Sequence, residues 1–128
     1  MTNDLSNGIR AAILEQAADA IIFADREGTI RLWNAAAGRL FGFTAEQVLG
    51  QSLDVFIPER LRAPHWSGYH RAMEQGRTKL DGRPTVTKAL HSSGDTVYVS
   101  MSFAVVTDPA QGVVGSVAIA RAAERPAR

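Results

Sequence analysis

Ala20–Gly50, AIIFADREGTIRLWNAAAGRLFGFTAEQVLG, is the stretch on which the reading of this chain turns. Ala20 to Ala24 is a β-prone run that ends in Asp25-Arg26-Glu27-Gly28, a turn signal. Thr29 to Trp33 sets apolar Ile30 and Leu32 between Thr29, Arg31 and Trp33, the alternation of a half-buried strand. Two strands across a tight turn make a hairpin. Asn34 then caps a helix opened by the strong helix formers Ala35, Ala36 and Ala37 and ended by Gly42. Thr44 caps a second short helix, with Gln47 at capping-box spacing, and Gly50 stops it.

The flanking sequence extends this pattern. Upstream, Ile9, Ala12, Ile13 and Ala17 recur at helical spacing, so an amphipathic helix is expected over Asn7 to Ala17, with Asn7 as its cap. Downstream, Leu53 to Ile57 is a brief apolar segment, and Pro64 suits the first turn of a helix through His65 to Gln75, stopped by Gly76. Asp81-Gly82-Arg83-Pro84 reads as a loop, Thr85 to His91 as a strand and Ser92 to Asp95 as a hairpin turn. Val97, Val99, Met101, Phe103 and Val105 then share one face of a long strand, the clearest alternating segment in the chain. After a turn at Asp108 to Gly112, Val113 to Ala120 forms a last strand with Gly115, Val117 and Ile119 on one face, followed by a polar tail. Five strands with closing hairpins imply an α+β fold on an antiparallel sheet.

Composition narrows the chemistry. The 128 residues suffice for one domain, and 45% apolar with 21% charged residues is ordinary for a globular protein. The absence of cysteine excludes disulfides, zinc–thiolate sites, iron–sulfur clusters, cysteine nucleophiles and cysteine-linked chromophores. A net charge of +1 gives no case for nucleic acid, and no apolar run or signal-peptide core points to a membrane, so a cytoplasmic location is expected. No glycine-rich phosphate loop, paired carboxylates or Gly-x-Ser-x-Gly context appears, so no enzyme is expected. His65 and His70 lie about 140° apart around a helix, too far to share a metal.

The segments EQAADAI (15–21), the hairpin ending Trp33-Asn34, LFGFTAEQVLG (40–50) and GSVAIAR (115–121), in this order, resemble the PAS family of sensory domains over roughly residues 9–121. The resemblance implies a five-stranded antiparallel sheet with a helical layer on one face and a ligand cavity between them. It divides the chain into an N-terminal cap helix (1–19), the PAS domain (20–121) and a short polar tail (122–128). It also implies a role in bacterial signal transduction, with a homodimer formed through Ile9, Ile13 and Ala17; that stripe reads equally as cover for the chain's own sheet. Kinase-linked PAS domains leave the last strand through an Asp-x-Thr-like exit, whereas Arg121 is followed here by Ala122 and Ala123. If the chain is complete, it is expected to signal through a partner kinase or regulator.

Within this resemblance, PERLRAPHWSGYHR (58–71) is similar to the helix that holds iron in the haem-PAS oxygen sensors of rhizobial kinases. That similarity implies haem b on His65 as axial metal ligand and a gas- or redox-sensing role. Arg71 would lie near the propionates, with Tyr69 beside the group. The family's distal arginine falls on Thr85 without a gap and on Arg83 after a two-residue shift. Leu90, Val99, Met101 and Phe103 are candidates for the opposite wall. Three alternatives stay open: a ligand-free interaction module filled by its own side chains, non-covalent FAD held by aromatics such as Trp33 and Trp66, or a small metabolite. Trp33 also reads as plain core packing.

Overall fold

A computed structural model describes residues 5–126; the first four residues of the expected cap segment and the last two of the tail lie outside the described residues. Helix α1 (Asn7–Gln16) leads into strands β1 (Ala20–Asp25) and β2 (Ile30–Trp33). Helices α2 (Ala35–Phe41) and α3 (Ala45–Val48) follow, then a 3-10 turn at Leu53–Phe56 and the long helix α4 (Glu59–Gln75). Strands β3 (Thr85–Leu90), β4 (Thr96–Asp108) and β5 (Gly112–Ala122) close the chain. The sheet order is β2-β1-β5-β4-β3 and every pairing is antiparallel. The first and last strands therefore meet at its centre, with Ala20 opposite Ala120 and Ile22 opposite Ala118.

Local chemistry sets the helix ends. Asn34 Oδ1 accepts from Ala37 N, and Gly42 leaves α2 in the left-handed region at φ 80°, where glycine carries no Cβ penalty. Thr44 and Gln47 form the reciprocal capping box. Ser6, not Asn7, caps α1: its hydroxyl accepts from Ile9 N at 3.1 Å, and Asn7 is already the first helical residue. Helix α4 begins at Glu59, five residues before the proline expected to open it, so Pro64 lies inside the helix. Proline has no N–H to give the Arg60 carbonyl. The upstream turn is instead held from outside, because Arg62 donates to the Ile57 and Asp54 carbonyls at 3.0 and 3.2 Å.

A register shift between Phe23 and Ala24 alters the expected alternation in β2. It turns both Ile30 and Trp33 into the core, while Leu32, opposite Phe23, is half-buried. The Trp33, Phe41 and Phe56 rings gather at 5.0–5.9 Å between centroids, and Trp33 Nε1 donates to the Phe43 carbonyl at 3.0 Å. The final strand passes the expected boundary at residue 121, and Ala123 N still donates to the Tyr98 carbonyl at 2.9 Å.

One buried amide joins three elements. Asn34, 2% exposed, accepts from Ile21 N (2.9 Å) and Ala37 N (3.0 Å), and donates to the Leu14 (2.9 Å) and Asp19 (3.0 Å) carbonyls. All four polar valences of the amide are thus filled. Helix α1, in contrast, buries no residue. Ile9 and Ile13 are 50% and 55% exposed, so the stripe does not cover the chain's own sheet. The sheet face opposite the helices also presents apolar side chains, among them Ile119 and Val86, both exposed.

Asn34→Ala removes a helix cap and leaves the Ile21 N–H without its partner, so we expect a loss of about 3 kcal/mol and a fall in Tm of roughly 10–15 °C. Asn34→Ser should recover only about 1 kcal/mol, the worth of the cap alone. Chemical denaturation of the three proteins checks this; full recovery by serine would reduce Asn34 to an ordinary cap.

Candidate functional site

Helix α4 crosses the sheet without filling the space beneath it. Of its 17 residues only Tyr69 and Met73 are buried. Of the inward residues of β5, the short Ser116 lies under the helix and meets only the Tyr69 hydroxyl, while Ala118 and Ala120 are buried in the core. The result is a cavity of about 230 Å³ under α4, lined mainly by apolar groups that include Tyr69, Ala72, Met73, Leu80 and Phe103. His65, Lys79, Arg83 and Ser116 supply most of its polar lining.

A contact at the middle of α4 and the turn at its C-terminal end explain how it stands off. Trp66 Nε1 donates to Asp54 Oδ1 at 2.8 Å, and its ring lies against the backbone of Gly28, where any Cβ would enter the ring. The far end is closed by Gly76, left-handed at φ 75°. A tight turn follows, with Asp81 and Gly82 at φ 54° and 83° and Arg83 N bonded to the Leu80 carbonyl at 3.0 Å. Thr78 ties this flap to β4 by donating to the Phe103 carbonyl at 3.3 Å.

Two groups dominate the interior. His65 Nδ1 is buried and has no hydrogen-bond partner. Desolvation, and to a smaller extent the charge on His70, holds its pKa below the ordinary value, against the pull of Asp54. The imidazole is therefore neutral at pH 7, with a nitrogen left over. Tyr69 spans the cavity floor. Its hydroxyl donates to the Asp25 carbonyl at 2.5 Å, lies 3.3 Å from the Ala24 carbonyl and accepts from Ser116 Oγ at 3.4 Å. Burial raises its pKa, partly offset by Ser116. One phenol thus links α4 to the two central strands.

The structure separates the residues that the sequence grouped. His65, Tyr69, Arg83 and Phe103 line the cavity. Val99 and Met101 face the same side of the sheet but are buried in the core. Leu90 does not join that wall: strand alternation turns Ala89 inward and sends Leu90 to the other face. Arg71 lies outside the cavity, in an adjoining hollow. Trp33 and Trp66 do not line the cavity, being engaged with Phe43 and Asp54, so neither is placed to hold a flavin ring there. His91 is half-buried, lies outside the cavity lining and fixes its hairpin turn by accepting from Ser93 N. Gly68, Lys79, Leu80 and Ser116 went unrecognised as lining. Of these only Ser116 had a sequence signal, its place among the small inward residues of β5.

A porphyrin does not fit the cavity as it stands. At about 230 Å³ it is below the roughly 300–1,000 Å³ of pockets that take drug-sized ligands. Tyr69 and Phe103 occupy its sheet side. The neutral imidazole of His65 is the lining group suited to iron. Among the described residues no cluster of three or more metal-ligating side chains occurs, and no helix is long and apolar enough to cross a membrane.

A five-stranded antiparallel sheet with a helix-walled cavity on one face defines a small α+β domain able to enclose a ligand. Residues 8–122 match the PAS fold, and the chain belongs to that family, whose domains are sensory modules. It is similar to the oxygen sensor protein DosP of Escherichia coli, with 25% identity over 93% of this chain and 15% of DosP. It is also similar to the sensor protein FixL of Bradyrhizobium diazoefficiens, with 30% identity over 71% of this chain and 18% of FixL. The chain spans less than a fifth of either relative. A crystal structure of a PAS domain from Colwellia psychrerythraea shares the fold, with a TM-score of 0.77, 24% identity and coverage of 91% of this chain and 95% of that one.

The depressed His65 pKa gives a pH dependence. The unfolded chain binds a proton near pH 6.5 while the folded chain resists it, so the stability that neutral His65 confers is present above pH 6.5 and falls as pH drops toward the folded value. Thermal unfolding of wild type and His65→Gln should run parallel above pH 6.5 and diverge below it, with wild type losing more. Parallel curves throughout would contradict this.

Proposed function

We propose that this chain is a sensory module whose ligand enters the cavity under α4 and whose output is a change in how the opposite sheet face docks. The mainly apolar cavity that α4 leaves over the sheet carries the reading, with the neutral His65 imidazole and the Tyr69 phenol in its lining as polar groups. Tyr69 supports the route outward. A ligand that competes for its hydroxyl releases the Asp25 and Ser116 contacts, and these lie on the strands that form the sheet's centre.

Haem on His65, with gas or redox sensing, is a second reading, favoured by the neutral imidazole in the cavity lining and by the likeness to an oxygen sensor protein. Bound haem would supply an iron site for a diatomic gas or an electron. It would require Tyr69 and Phe103 to leave their present positions, and a smaller ligand needs no such rearrangement. Protein made in cells supplied with haem precursor, or titrated with hemin, is therefore expected to show no Soret band dependent on His65. A band that shifts on reduction and on carbon monoxide, and disappears in His65→Ala, would establish haem instead.

The receiver is a second copy of the chain, placed on the exposed stripe of α1 and the apolar face around Ile119, with a kinase or regulator further downstream. No catalytic role is proposed. Sedimentation should give a dimer for wild type and monomers for Ile13→Asp and Ile119→Asp. Both positions are exposed, so neither change should impair folding. A monomeric wild type, or variants that still dimerise, would remove this face from the account.

A further inference from the structure

A second hollow of about 460 Å³ adjoins the cavity and shares Gly68, Ala72, Thr78 and Lys79 with it. The two differ in chemistry. The cavity wall is mainly apolar, whereas the hollow carries Arg71, Arg77 and Lys79 against a single acid, Asp81. All three cations are exposed, and none joins an ion pair among the described residues.

Gly68 lies where the two spaces meet. It is in the middle of α4, where glycine is roughly 1 kcal/mol less favourable than alanine. A Cβ there would meet no atom within 4 Å, so packing does not require the glycine. The open space at its Cβ position lies where the linings of cavity and hollow overlap, so a large side chain there would project between them.

From this arrangement we propose that the ligand is an amphiphilic carboxylate, with an apolar body in the cavity and its acid head on the basic wall of Arg71, Arg77 and Lys79. The inference rests on the cavity being a ligand site. Size limits the body. A cavity of about 150 Å³ holds benzene. By that ratio a space of about 230 Å³ takes about nine or ten heavy atoms, a medium alkyl chain or one substituted ring. A carboxylate is ionised at neutral pH and pairs well with guanidinium groups, in part by two parallel hydrogen bonds. An ammonium head on the same body would meet like charge.

Calorimetric and NMR titrations with octanoate, octanol, octylammonium and phenylacetate test this. Octanoate or phenylacetate should bind at least tenfold tighter than octanol, with octylammonium weakest. The variant Arg71→Gln/Arg77→Gln/Lys79→Gln, altered only at exposed positions, should bind octanoate and octanol within about twofold of each other. Gly68→Phe should abolish binding of both while its thermal unfolding stays close to wild type. Equal binding of acid and alcohol by wild type would overturn the head-group assignment and leave the cavity as a site. A preference for acid that survives in the triple variant would also overturn it. Failure of every probe to bind would remove the cavity itself as the ligand site, and with it both readings.

Discussion

Four hydrogen bonds from one buried amide hold the framework on which everything else rests. Asn34 joins the end of α1, the start of β1 and the first turn of α2, and it sits at the end of β2. Without it, the hairpin and the helix layer have no fixed relation at that corner. With it, the chain crosses to α4 and returns through β3 and β4, so that β5 pairs beside β1. The first and last strands then share the sheet's centre, and a disturbance there reaches both ends of the domain.

The cavity follows from a mismatch between helix and sheet. The short Ser116 on β5 and a helix with two buried side chains leave room that Trp66 and Arg62 preserve by fastening the first half of α4. Tyr69 crosses this room instead of filling it, and its hydroxyl ends on backbone carbonyls that also belong to the sheet. A burial cost is carried at His65, a mechanical link lies at Tyr69, and charge is gathered outside the mouth. The same opposition of an apolar interior and a basic rim makes a neutral filler a poorer occupant than an acid.

How much of this the sequence revealed depended on the range of each interaction. Asn34, Gly42, the Thr44–Gln47 box and the long alternation of β4 were legible because their chemistry is local. Pro64 misled because proline is favoured in a first turn, and the bonds that start α4 upstream come from Arg62 to carbonyls outside the helix. The bulge that turns Trp33 inward depends on pairing between strands, which a single strand's pattern does not encode. Leu90 was one residue out of phase, enough in a strand to change faces. Among the residues that line the cavity, His65, Tyr69, Arg83 and Phe103 had been singled out, through family likeness more than through spacing. Lys79 and Leu80 line it only because the flap folds back over α4, and no local pattern announces that.

The central claim is that the space under α4 takes the ligand, and the methionines offer a direct probe. The chain has three, of which Met73 lines the cavity and Met101 lies in the packed core of the same sheet face. With methyl-labelled methionine, addition of small apolar ligands should move the Met73 resonance in a saturable way, with a much smaller effect on Met101. A Met73 signal that stays fixed, or one that moves no more than Met101, would contradict the account.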